Sequence, residues 1–131
     1  MGGGSEGCLP TADDGPGPNY EPGAPERTSV GSGYVVTGSV IEATTCRPVA
    51  GALVEFWMAG PDGAYGPDWR ASLHTDEGGR FFFESHVPVS YGGDAHIHLR
   101  LSSPDHAELY LVHVPEGGAA TGQVAAVLRP K

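Results

Sequence analysis

The most constraining feature of this sequence is its succession of short runs rich in β-branched and aromatic residues, each ended by turn residues. No segment keeps a helical period long enough to predict a helix. Short runs of this kind indicate an all-β fold, an antiparallel β-sandwich. The predicted strands are 34–42, 52–58, 71–75, 80–84, 95–102, 108–114 and 123–128, with a hairpin turn at 76–79.

The first 33 residues differ from the rest of the chain. Many of the 21 glycines and 12 prolines lie there, among Ser, Asp and Glu, and the segment has almost no apolar periodicity. This composition predicts an irregular N-terminal arm, residues 1–33, with few contacts of its own. Residues 34–131 are enough for a modest sandwich that folds alone, and we predict that they form the catalytic domain.

The charge of the chain excludes some classes of partner. Sixteen acidic residues against seven basic ones give a net charge of −9. Nucleic acids and anionic membranes need clustered Lys and Arg, so neither is expected as a partner. No apolar run is long enough for a transmembrane helix. The first residues lack the basic and apolar parts of a secretory signal, which predicts a cytoplasmic protein unless a leader has been removed.

The chain has two cysteines, Cys8 and Cys46. Two cysteines do not make a disulfide framework, and the narrowly favoured interpretation is two reduced thiols in a cytosolic protein. The alternative is one bridge that ties the arm to the sandwich. Neither cysteine belongs to a C-x-x-C motif, which argues against structural zinc.

His96 and His98 are the first candidate metal ligands. On a strand these side chains share one face, about 7 Å apart along the chain, while Ile97 points to the other face. Two imidazoles on one face can reach a single metal ion. Taken alone the pattern is weak, because it also describes two ordinary surface histidines.

An ordered series of motifs precedes the two histidines. C-R-P-V-A-G-A-L-V-E-F-W occupies 46–57, D-G-A-Y ends at Tyr65, T-D-E-G-G-R-F-F-F occupies 75–83, and P-V-S-Y ends at Tyr91. With H-I-H at 96–98, this series resembles the intradiol ring-cleavage dioxygenases, of the catechol and protocatechuate dioxygenase type, in a small single-domain form. Residues 8–11 and 15–20 match the beginning of that family more weakly.

The resemblance implies a transthyretin-like sandwich and a non-haem Fe(III) ion held by Tyr65, Tyr91, His96 and His98. It also implies that a catechol is cleaved by O2 between its two hydroxyls, giving a muconate-type dicarboxylic acid. Tyr91 would be the ligand that the substrate displaces and the base that takes its proton. Phenolate oxygen suits a hard ferric ion better than sulfur does, and imidazole completes a mixed site.

The sequence departs from the family where the family carries an arginine, three residues before the first histidine. Gly93 stands at that position. Arg100 and Arg70 are the candidate catalytic replacements. Arg100 has the strand parity of both histidines, whereas Arg70 matches a family position before the T-D hairpin, where its role would be structural. The short segment between Tyr91 and His96 suggests an open site for a larger or substituted catechol.

A second class of function shares part of this pattern. A non-catalytic transthyretin-like or carboxypeptidase-regulatory-like module, used for binding or scaffolding, also carries the motif at 48–54. Tyr65, Tyr91 and the histidine pair discriminate, because a binding module does not need all four side chains. His74, His86, His106 and His113 are interpreted as surface or loop histidines. Asp94 is interpreted as a solvated turn residue, and the alternative is that it orients His96. The chain lacks the helical N-terminal domain of the larger catechol dioxygenases, so self-association as a homo-oligomer is left open.

Overall fold

The computed structural model describes residues 8–90 and 93–131. Within them, eight strands form two four-stranded sheets, and one short 3-10 turn lies between two of the strands. No helix in the described part of the chain is long and apolar enough to cross a lipid bilayer. In chain order the elements are β1 (Ser29–Val30), β2 (Gly33–Glu42), β3 (Leu53–Trp57), the 3-10 turn (Pro67–Trp69), β4 (Arg70–His74), β5 (Arg80–His86), β6 (Ile97–Ser103), β7 (His106–His113) and β8 (Thr121–Leu128).

The two sheets pack as a β-sandwich, which confirms the predicted fold class. The strand order is β1-β5-β2-β8 in one sheet and β4-β3-β6-β7 in the other. β1 pairs parallel to β5, and β8 pairs parallel to β2, while the other pairs are antiparallel. All seven predicted strands are present, with ends that differ by a few residues. The two-residue strand β1 was not predicted, because its pairing with β5 is non-local and leaves no pattern in so short a segment.

Strand β3 shows how the sequence separates the two faces of the second sheet. Val54 and Phe56 are fully buried, and Phe56 stacks on Phe83 of the other sheet with 3.8 Å between ring centroids. Successive side chains on a strand point to opposite faces, so Glu55 and Trp57 lie on the outer face. That outer face carries the candidate site.

The described part of the arm, residues 8–28, is irregular apart from an isolated bridge at Glu26, but its contacts are many. The backbone N–H of Asp14 donates to the carbonyl of Tyr110 at 2.8 Å, and the N–H of Tyr110 donates to the Asp13 carboxylate at 3.0 Å. On the other sheet, the N–H of Val127 donates to the Thr11 hydroxyl at 2.8 Å. The expectation of few contacts is therefore wrong. The arm supplies hydrogen-bond partners to the edge strands β7 and β8, which would otherwise expose unpaired backbone groups.

Cys8 and Cys46 form a disulfide with their Cα atoms 5.4 Å apart, so the favoured interpretation of two reduced thiols is wrong. The arm returns to the loop after β2, where the Thr44 N–H donates to the Cys8 carbonyl at 3.0 Å and brings the two cysteines together. Closing a loop across a sequence separation of 38 residues stabilises the fold by about 4 kcal/mol in the chain-entropy description. The predicted cytoplasmic localisation stays a prediction.

Candidate metal centre

The imidazoles of His96 and His98 converge at the beginning of β6. His98 lies on the outer face of the strand and His96 immediately before it, whereas Ile97 between them is fully buried in the core. The two Nε2 atoms are 3.1 Å apart, and the rings are nearly perpendicular, at 85°. Two ligands at right angles on one ion, each about 2.1 Å from it, would be separated by about 3.0 Å. The two imidazoles lie together on one side of Ile97, with a spacing that suits a metal ion, and their binding of one stays a prediction.

The backbone before β6 sets the tautomer of His96. Nδ1 of His96 lies 2.8 Å from the carbonyl oxygen of Asp94. A carbonyl oxygen only accepts, so Nδ1 carries the proton and Nε2 keeps its lone pair. Metal-binding histidines are commonly oriented through such a bond. Asp94 therefore contributes through its main chain.

His98 is buried between Trp57 and the arm. Its ring lies parallel to the indole of Trp57, with 5.2 Å between centroids and 9° between planes. On the arm, a Cβ at Gly17 would lie 3.2 Å from Cε1 of His98, so the backbone of the arm approaches the ring closely. Burial, with the nearby His96, lowers the pKa of His98 to about 4. The ring is thus neutral at physiological pH, the form that binds metal.

Tyr65 lies close to this pair. It follows the turn after β3, in which the Gly60 N–H donates to the Ala64 carbonyl at 2.8 Å. The Tyr65 ring centroid is 6.2 Å from that of His98, with 48° between the planes. The structure therefore brings together three of the four predicted ligands. Tyr91 lies outside the described residues, and its part in the site stays a prediction.

The donor set fits a ferric ion. One phenol oxygen and two imidazole nitrogens with suitable spacing and tautomer are the ligand types that a hard, highly charged cation accepts. Among the residues that the structure describes, no three His, Cys, Asp or Glu side chains cluster as metal ligands.

Arg100 lies on the outer face with the histidines, as its parity predicts, but its guanidinium is ion-paired. Nη1 is 2.6 Å from Oε1 of Glu55 and Nη2 is 2.8 Å from Oε2 of Glu108. Burial alone would lower the pKa of Arg100, but the hydrogen bonds to Glu55 and Glu108 raise it above its ordinary value. A contact between this cation and a substrate stays a prediction.

Arg70 occupies the same row of the sheet as Trp57 and His98, which are neighbours across β4, β3 and β6. It is buried, its Nη1 donates to the Asn19 carbonyl at 3.0 Å, and its Nη2 is 3.7 Å from the Glu21 carboxylate. Both partners belong to the arm. These contacts fit the structural role that its sequence position suggests, and a catalytic role for Arg70 remains untested.

Tyr20 is a neighbour of the site that the sequence did not single out. Its ring packs on Trp57 at 5.1 Å and on Tyr110 at 6.0 Å, and its hydroxyl donates to Oε2 of Glu55 at 2.9 Å. Burial, then the bond to Glu55, raises the pKa of Tyr20 to about 12. The weak family match at 15–20 was the only signal, and it did not indicate that the arm covers this face of the sheet.

The four remaining histidines bond elsewhere. His74 pairs with Glu26, His86 with the Ala59 carbonyl, and His113 with the Tyr34 hydroxyl. His106 is buried, contrary to its interpretation as a surface residue. Its two ring nitrogens bond to Ser103 and Glu42 at 2.6 and 2.7 Å, which satisfies the polar groups of the buried ring.

Comparison with solved structures decides the fold family. Hydroxyquinol 1,2-dioxygenase from Pseudomonas putida DLL-E4 superposes with a TM-score of 0.82 over 95% of this chain and 68% of that chain, at 17% identity. The dioxygenase domain of a dioxygenase carbohydrate-binding protein fusion from Streptomyces sp. SirexAA-E superposes with a TM-score of 0.78 over 92% of this chain and 99% of that chain, at 27% identity. The fold is that of the intradiol ring-cleavage dioxygenases. The intradiol ring-cleavage dioxygenase of Tetranychus urticae matches at 0.74 and 23% identity, over 84% and 66% of the two chains.

The fold is assigned by superposition on solved structures and not by a sequence match. No protein-family sequence model matches the chain, and no curated protein matches its sequence. At identities of 17–27%, a shared fold is not a shared activity. The activity has to be argued from the side chains of the site.

Proposed function

We propose that this protein is a non-haem Fe(III) intradiol dioxygenase that cleaves a catechol between its two hydroxyls with O2, to a muconate-type dicarboxylic acid. The observation that carries the proposal is the 3.1 Å approach of the His96 and His98 Nε2 atoms beside Tyr65, within the intradiol dioxygenase fold. Neither part is sufficient alone, because the fold also supports non-catalytic modules and the histidine pair also occurs on ordinary surfaces.

In this proposal Tyr65, His96 and His98 hold the iron, and Tyr91 is the fourth ligand on the strength of the sequence resemblance. When bound, ferric iron supplies the Lewis acidity that binds a catechol as its dianion and makes it reactive toward O2. The protein residues do the rest. The Asp94 carbonyl keeps the proton of His96 on Nδ1, and Trp57 with the arm fixes the ring of His98. Tyr91 accepts a proton from the incoming substrate.

The predicted electrostatic role of Arg100 or Arg70 toward the substrate is a separate proposal. The structure gives each guanidinium other partners, two carboxylates for Arg100 and the arm for Arg70. These contacts weigh against either cation reaching a substrate. Steady-state kinetics of Arg100→Met beside Arg70→Met, on a catechol that the wild type cleaves, would test both roles.

The test of the main proposal is iron binding and ring cleavage. The purified protein, loaded with ferric iron, should bind about one ion per chain, show a broad visible tyrosinate-to-iron band, and consume O2 with a catechol. His98→Ala and Tyr65→Phe should each lose iron, because each removes one of four protein ligands. His74→Ala is the matched control, since this exposed histidine bonds only to Glu26 among the described residues.

The alternative is a non-catalytic transthyretin-like or carboxypeptidase-regulatory-like module, which would share the sandwich without the chemistry. A protein that stays colourless after ferric reconstitution would contradict the enzyme proposal and favour the module. Full iron occupancy and unchanged colour in both ligand variants would mean that the site is wrong. The substrate partners of the proposal are a catechol and O2, and homo-oligomerisation stays a prediction.

A further inference from the structure

Arg100, which lies on the same strand as His98, is ion-paired with two carboxylates. Arg100 lies between Glu55 and Glu108, with nitrogen–oxygen distances of 2.6 and 2.8 Å. One guanidinium between two carboxylates leaves a net negative charge on this part of the face. Because Glu55 is buried, water does not screen the charge of its carboxylate effectively.

Arg70 is covered by the arm rather than closely ion-paired, and its buried Nε has no hydrogen-bond partner among the described residues. Its side chain is 8% exposed, its Nη1 is bonded to the Asn19 carbonyl, and the Glu21 carboxylate lies 3.7 Å from Nη2. The arm therefore lies between this cation and anything that binds on the outer face. Reaching a ligand would require the arm to leave the sheet.

Gly93 and the acidic Asp94 lie just before the histidines. Gly93 accepts a hydrogen bond from the Ser90 hydroxyl, and, its chain neighbours aside, no heavy atom of the described residues lies within 4 Å of the position that a Cβ at Gly93 would take. The next residue, Asp94, is acidic and binds His96 through its carbonyl, which leaves its carboxylate as a further anion two residues from a ligand. The described residues of this rim, Gly93 and Asp94, carry no basic side chain.

From these observations we propose that the site selects catechols whose ring substituent is neutral or cationic and discriminates against catechol carboxylates. The inference rests on the proposed function and adds the charge class of its substrate. A carboxylate substituent would be repelled by the surplus charge of Glu55, Glu108 and Asp94, and the two arginines described on this face, Arg100 and Arg70, are bonded to other partners. An ammonium substituent would be attracted by the same groups. The net charge of −9 on the whole chain acts in the same direction.

The test compares three catechols of similar size on the iron-loaded protein: para-ethylcatechol, para-aminoethylcatechol and para-carboxymethylcatechol. We expect kcat/KM for the neutral and cationic compounds to exceed that for the carboxylate by about tenfold or more at low ionic strength. The gap should narrow at about 0.5 M salt, because these charges are partly exposed and screening weakens them. Binding of each compound, followed by the change in the visible band, should give the same order without depending on turnover.

Two substitutions connect the preference to its cause. Gly93→Arg should raise kcat/KM on the carboxylate relative to the ethyl compound by about fivefold to tenfold, and Gly93→Met, of similar length, should not. Glu108→Gln removes one exposed carboxylate and should shift the ratio in the same direction by about twofold to fivefold.

The outcomes separate this inference from the proposed function. A protein that binds no iron refutes the proposed function, and the inference fails with it. An iron-loaded protein that binds or cleaves the carboxylate as well as the ethyl compound refutes only the inference. A ratio that neither Gly93→Arg nor Glu108→Gln changes would likewise show that these charges do not set the preference.

Discussion

Gly17→Ala tests whether the arm positions a metal ligand. Gly17 has φ +64°, and an added Cβ would lie 3.2 Å from Cε1 and 3.5 Å from Nδ1 of His98. The left-handed backbone costs a non-glycine residue about 1–2 kcal/mol. The contact with the imidazole adds a second effect, because either His98 or the arm must move by a few tenths of an ångström. Since Trp57 lies parallel to His98, we expect the ring to tilt and its Nε2 to move away from His96.

Gly23→Ala is the matched control for this prediction. Gly23 lies in the same arm, has φ +81°, and its added Cβ would meet no atom within 4 Å. Both variants should therefore lose about 1–2 kcal/mol of unfolding free energy in urea denaturation of the iron-free protein. In ferric iron titrations, only Gly17→Ala should weaken affinity, by about tenfold, with a shift of the visible band, since disturbing the support of a ligand costs about 10–100-fold.

Equal iron affinity and identical spectra in the two variants would refute the argument. In that case the arm covers His98 without positioning it. Loss of iron in both variants would assign the effect to backbone strain in the arm rather than to the contact with the imidazole.

Three further predictions concern stability, and each is measured by urea denaturation of the iron-free protein. Replacing Cys8 and Cys46 by serine should lower the unfolding free energy by about 2–4 kcal/mol. A reductant should lower the unfolding free energy of the wild type and leave that of the variant unchanged. Arg100→Met should lower the unfolding free energy by about 2–4 kcal/mol, because it leaves Glu55 buried without its cation. The double variant Arg100→Met/Glu55→Gln should recover part of this loss. Equal stability of the single and double variants would contradict the pairing. The hydrogen bond from His106, and then that from Thr45, lowers the pKa of Glu42 in the folded protein. The stabilising contribution of the Glu42 carboxylate is therefore present above pH 4.5 and is lost as the pH falls through the lower folded pKa. Glu42→Gln should make the unfolding free energy less dependent on pH in the acidic range, and an unchanged dependence would refute this.

Local patterns in the sequence were sufficient for the strands and for the relative placement of the two histidines. In 53–57 the alternation of side chains identifies which residues face the core, because a strand has a period of two whatever it pairs with. The same period places His96 and His98 on one side of Ile97. Tyr65 was predicted only through the order of motifs shared with a family, and the structure brings it near His98.

Contacts between segments far apart in the chain were decided by the tertiary structure. Composition predicted a loosely attached arm, yet the hydrogen bonds of Asp13 and Asp14 to β7 depend on that strand being an exposed edge. Strand parity placed Arg100 on the correct face but could not reveal that Glu55, 45 residues away, and Glu108 neutralise it. Periodicity is a property of neighbouring residues, so the sequence determines which face a side chain occupies. Its partners on that face depend on strand order, register and the path of the arm, which arise only when distant segments pack together.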